Sequence, residues 1–180
     1  MTDEGTHLGP LAPVGSGWGF GNATRPGSHW VELRPDGLCH HQPDDEDLLI
    51  PWHRIMTYMT GIGIDWNGFG RWSSHQTLPV TLRPKAVHRP GGWLVMTVRH
   101  PYEDVRLRFD RHPRQYGLVD AARLEELLGQ LSERDRLSLL GDPDWLSRVV
   151  TRLTAGDPRP SYRVLCKEVT EAIEAADAAR

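Results

Sequence analysis

Residues 105–131 read VRLRFDRHPRQYGLVDAARLEELLGQL, and the fold class turns on the change of period inside them. Val105, Leu107 and Phe109 alternate with Arg106 and Arg108, the two-residue repeat of a strand that buries one face. Beyond Gly117 the repeat becomes 3.6: Val119, Leu124, Leu127, Leu128 and Leu131 share one stripe, while Arg123, Glu126 and Gln130 are expected to face water. A strand that hands over directly to an amphipathic helix marks the seam between a β region and a helical region.

Upstream of the seam, short β-branched and aromatic runs separated by turn residues predict seven antiparallel strands. Residues 29–34 and 38–41 read as a hairpin turning at Pro35, Asp36 and Gly37. Leu48, Leu49, Ile50, Pro51 and Trp52 lead into a strand over 54–60, and further strands are expected over 62–66, 78–83, 93–99 and 105–109. Downstream, Asp142 and Pro143 supply an N-cap and a first-turn proline to a second helix with Trp145, Val149 and Leu153 inward. After a linker over 156–160, residues 162–179 predict a third helix with Val164, Leu165, Val169, Ile173 and Ala176 on its packed side. Residues 1–28 hold ten glycines and prolines without an apolar period and are expected to form a flexible leader.

The 180 residues, 38% hydrophobic and 25% charged, suffice for one core and exclude two large domains. Two cysteines, Cys39 and Cys166, provide no disulfide framework, and no apolar run approaches the length of a membrane span. With Asp3 and Glu4 where a signal peptide would carry basic residues, the expected compartment is the cytoplasm. Nineteen arginines against two lysines fit a GC-rich, actinobacterial type of coding sequence. The net charge of −3 divides into −6 over residues 1–50, +6 over 51–117 and −3 over 118–180. That alternation of sign argues against nucleic-acid binding by the whole chain and leaves room for a local basic patch.

Cys39, His40 and His41 precede the acidic loop Asp44, Asp45, Glu46 and Asp47, a set containing every ligand type of a zinc or iron site. Neighbouring residues of a strand point to opposite faces, so His40 and His41 do not chelate one ion. The reading is therefore a solvated acidic loop, with no metal and no cofactor. Neither a nucleophile elbow nor a phosphate-binding glycine loop is present, so no catalytic residue is assigned. The aromatic and glycine-rich loop with Trp66, Phe69, Arg71 and Trp72 is the expected partner-binding surface, since exposed Trp and Arg concentrate where partners dock. Arg83, Lys85, Arg89, Arg106 and Arg108 form the expected anion-binding set.

The order of elements resembles that of the pleckstrin-homology-like barrel superfamily, including its GRAM-like members. The residues that carry the likeness are the tight hairpin at Pro35 to Gly37, the stretch with Ile50, Pro51, Trp52 and Ile55, and the strand at Val105 to Phe109 followed by the helix at Leu118 to Leu131. The resemblance implies an α+β fold: a seven-stranded antiparallel barrel over 29–131, capped by an amphipathic helix, with additional C-terminal helices over 132–180. It also implies a binding module for lipid head groups, peptides or proteins. Asp36 and Asp44 to Asp47 stand close to the turn where phosphoinositide binders of that family carry Lys and Arg, so a phosphoinositide is disfavoured. The expectation is a non-catalytic module with a protein or peptide partner. The alternatives are an enzyme or small-ligand carrier using the barrel interior, and an anion or nucleic-acid binder acting through the arginine-rich face.

Overall fold

The computed structural model describes residues 6–56, 62–65 and 91–180. The described residues form an α+β architecture of two antiparallel sheets and three α-helices. The first sheet runs β1 (Leu11–Val14), β2 (Gly17–Phe20), β3 (Trp30–Arg34), β4 (Gly37–His41) and β5 (Leu48–Pro51), each strand beside the one before it in sequence. The second runs β6 (Ile62–Asp65), β7 (Gly91–Val98) and β8 (Glu103–Asp110). The helices are α1 (Leu118–Glu133), α2 (Pro143–Thr154) and α3 (Tyr162–Ala178). No described helix is long and apolar enough to cross a membrane.

This arrangement overturns the expected seven-stranded barrel: the described strands divide into sheets of five and three, and no closed barrel forms among them. The sheets meet at two corners. At one, the Asp110 N–H donates to the His29 carbonyl (2.8 Å), the His29 N–H to Asp110 Oδ2 (3.0 Å), and the Asn22 N–H to the Asp110 carbonyl (3.0 Å). At the other, Ile55 pairs with Val98, with bonds from the Met56 N–H to Thr97 O and from the Arg99 N–H to Arg54 O, both 2.9 Å. Beside the first corner Phe20 of one sheet meets Phe109 of the other, ring centroids 6.3 Å apart.

A second correction concerns the expected leader. Residues 11–20 form the hairpin β1–β2, which pairs with β3 through Trp18 opposite Leu33 and Phe20 opposite Val31. Leu8, Leu11, Trp18 and Phe20 are buried in the common core. The apolar residues of this segment alternate with glycines, so its strand period is masked in the sequence.

The seam at Gly117 holds. α1 buries Ala121, Leu124, Leu127, Leu128 and Leu131, and Glu125 Oε1 accepts the Ile64 N–H (3.0 Å), so the helix covers the outer edge of β6. Arg123 and Gln130, expected to face water, are instead buried, because α3 packs over that side of α1. α2 begins as expected, with the Asp142 side chain accepting the Trp145 N–H and Pro143 in the first turn. On α3, Val164 is exposed and Ala172 takes an inward place beside Leu165, Val169, Ile173 and Ala176. The expected strands over 54–60 and 62–66 lie partly outside the described residues, and that over 78–83 wholly outside them.

Candidate functional site

The hairpin β3–β4 fixes the site by its register: Trp30 stands opposite His41, Glu32 opposite Cys39, and Arg34 opposite Gly37. Side chains alternate across a strand, so Val31, Leu33, Leu38 and His40 point into the core, while Trp30, Glu32, Arg34, Cys39 and His41 share the outer face. Gly37 is required by β5, because a Cβ there would run into the Ile50 backbone.

His40 and His41 accordingly lead separate lives. His40 is buried, donates from Nε2 to the Arg108 carbonyl at 2.9 Å, and stacks with His29 at 5.9 Å. Burial holds its pKa below the ordinary imidazole value, only partly opposed by that bond. His41 lies outward against the Trp30 ring, centroids 4.0 Å apart and planes 14° from parallel. Its Nδ1 is 2.9 Å from Asp47 Oδ2 and its Nε2 is 3.1 Å from Glu32 Oε2.

Cys39 completes the cluster. Although on the outer face, it is buried, covered by its neighbours, and Arg34 Nη1 lies 3.8 Å from its Sγ. Burial pushes the thiol above its ordinary pKa, with the Arg34 hydrogen bond acting the other way. One ligand atom each from Glu32, Cys39 and His41 lie within 4.8 Å of one another. Among the described residues, these three are the ones that could hold a metal.

Adjacency correctly separates His40 from His41, but it says nothing about residues across the strand. The missed signal is the two-residue turn of the hairpin, since a loop of Pro35 and Asp36 sets Arg34 opposite Gly37 and hence Glu32 opposite Cys39.

Of the expected partner-binding residues, Trp66, Phe69, Arg71 and Trp72 all lie outside the described residues, as do Arg83, Lys85 and Arg89 of the anion-binding set. Arg106 is paired with Asp65 and lies 5.5 Å from the Trp93 ring, and Arg108 is 3.0 Å from Asp110. Both guanidinium groups thus already engage a carboxylate. Cys166 on α3 is a free thiol, half-buried and set beside Tyr162 and Glu126, whose burial also pushes its pKa up.

Beside the hairpin, β5 is the outermost strand of its sheet among the described residues. Leu48 is 44% exposed and Leu49 38%, and exposed Asp44, Asp45, Glu46 and Asp47 run immediately ahead of them. Comparison with known proteins finds no family model, no curated protein and no solved structure that matches the chain.

Proposed function

We propose that the protein is a non-catalytic, cytoplasmic binding module for a protein or peptide partner, which joins the edge of β5 as an extended strand. The observation that carries the reading is the exposure of Leu48 and Leu49 side by side on that edge. Natural sheets blunt their edges with charge, proline or cover; Pro51 closes one end of β5 and the acidic run flanks the other, and the apolar pair between them stays exposed as a template for pairing. An added strand draws affinity from main-chain hydrogen bonds and specificity from side chains on alternating positions. The acidic run ahead of β5 selects a partner whose apolar strand is followed or preceded by Lys or Arg. On residue type alone, the loop with Trp66, Phe69, Arg71 and Trp72 belongs to the same proposal as a second contact surface.

The test is selection of random displayed peptides on the immobilised full chain. Enrichment of sequences that alternate apolar residues and carry a basic flank is expected, with binding weakened at least about tenfold by the double change Leu48→Lys and Leu49→Lys. Selected peptides that bind the double variant as tightly as the parent would remove β5 from the account. Loss of binding in Trp72→Ala alone would move the contact to the aromatic loop.

A further inference from the structure

We propose that Glu32, Cys39 and His41 bind a thiophilic divalent metal ion of the zinc class, with Asp47 orienting the histidine. This inference is independent of the peptide reading and rests on three observations.

The first is the donor set and its spacing. A carboxylate oxygen, a thiol sulfur and an imidazole nitrogen gathered within 4.8 Å form a mixed O, S and N set. Thiolate and imidazole favour zinc-like ions over calcium or magnesium, which take oxygen ligands. Ligands 2.0–2.3 Å from a tetrahedral ion lie roughly 3.3–3.8 Å from one another, so closing the set takes side-chain adjustments of about an ångström. Three protein ligands leave a fourth position for water.

The second is the orientation of His41. Its Nδ1 faces Asp47 Oδ2 at 2.9 Å, the carboxylate–histidine arrangement that fixes a ligating ring and directs the lone pair of Nε2 at the metal. With the Nδ1 proton donated to Asp47, Nε2 offers its lone pair 3.1 Å from Glu32 Oε2, and an ion there takes the place of the proton that a doubly protonated ring would donate to Glu32. A cation between them satisfies both atoms. Trp30, stacked on the ring at 4.0 Å, holds it in that plane.

The third is the rigidity of the platform. Glu32 and Cys39 are directly paired across adjacent strands, and β3 and β4 are themselves flanked by β2 and β5. Ligands on paired strands keep their spacing better than ligands on loops. Arg34 is the one cation beside the set among the described residues, with Nη1 3.8 Å from the Cys39 sulfur and Nε 3.5 Å from Asp36. Its side chain is 45% exposed, so it can swing away toward Asp36 as an ion arrives, and it competes with that ion until it does.

Titration of the reduced, chelator-treated full chain with cobalt(II) and then zinc tests the site. One ion per chain is expected, with a thiolate-to-cobalt charge-transfer band in the near ultraviolet that Cys39→Ser removes and Cys166→Ser leaves intact. Glu32→Gln and His41→Ala each weaken zinc binding at least about tenfold, Asp47→Asn weakens it about 10–100-fold, and Arg34→Gln tightens it. A parent protein without the cobalt band overturns the proposal, as does a band that survives in Cys39→Ser. Should the ligand variants fail to fold, as judged by circular dichroism, the Cys166→Ser chain decides alone: a cobalt–thiolate band there must come from Cys39, and its absence rejects the site.

Discussion

His112 lies in a cationic neighbourhood. The Tyr116 hydroxyl accepts the His112 backbone N–H at 2.9 Å and lies 2.7 Å from Nδ1, to which it donates its own proton when Nδ1 carries none. That bond needs a neutral ring with Nδ1 as acceptor. Arg111 and Arg114 stand over the Tyr116 ring at 5.4 and 5.7 Å. Burial first, then Arg114 and His7, lower the His112 pKa to about 4. Because the folded value lies below the unfolded 6.5, the unfolded chain binds the extra proton between those pH values. Stability from this site is therefore complete above about pH 6.5 and is lost as the pH falls toward 4. Partial solvent contact reduces the effect to on the order of 1–2 kcal/mol. Urea unfolding at pH 7 and pH 4.5 should show that the parent loses this much more than His112→Gln; equal losses would refute the assignment. In the sequence His112 stands next to Pro113, a turn residue, where a surface or hydrogen-bonded side chain is expected. The bond is there, but the burial and the influence of His7, remote in the chain, leave no mark in the local sequence.

Among the elements, the helices show how far a periodic pattern reaches. The apolar stripe of α1 was legible because one face of a helix must find a core, whichever core it is. The fate of Arg123 was not, since the same helix meets α3 on a second side. The Arg123 guanidinium is buried there, with Nη2 2.7 Å from both Glu168 Oε2 and the Asp157 carbonyl. Gln130 likewise donates to the Cys166 carbonyl at 3.1 Å. A charged residue in a helical pattern marks the solvent side only until another helix supplies its partner. Removing one member of a buried pair strands the other. Glu168 keeps some contact with water, so Arg123→Met should destabilise by about 2–3 kcal/mol in urea unfolding. Adding Glu168→Leu should recover most of that loss. If Arg123→Met unfolds within about 0.5 kcal/mol of the parent, the pair does not hold α3 to α1.

For the whole molecule, the β3–β4 hairpin was legible, while the first hairpin and the closure of the sheets were not. Turn residues between short runs specify which strands pair locally, as at β3–β4. Whether the pairs join in one barrel or two sheets depends on corner contacts such as Asp110 with His29 and Asn22, which leave no periodic trace. Gly21 belongs to that corner: it takes φ +88° where a Cβ would meet Phe109 and Asp110. Glycines that read as flexibility here permit close approach. The first hairpin is consequently structural, with Leu8, Leu11 and Phe20 wholly buried and Trp18 Nε1 donating to Ser147 Oγ of α2 at 3.1 Å. Phe20→Ala should lower unfolding free energy by about 3–5 kcal/mol, from lost burial and the cavity left against Phe109. A chain begun at Asn22 should bind a hydrophobic dye and lose its cooperative urea transition, since both the other sheet and α2 would lose their apolar cover. A truncated chain with the parental urea midpoint would return residues 1–21 to the status of an appendage and detach β1 and β2 from the core.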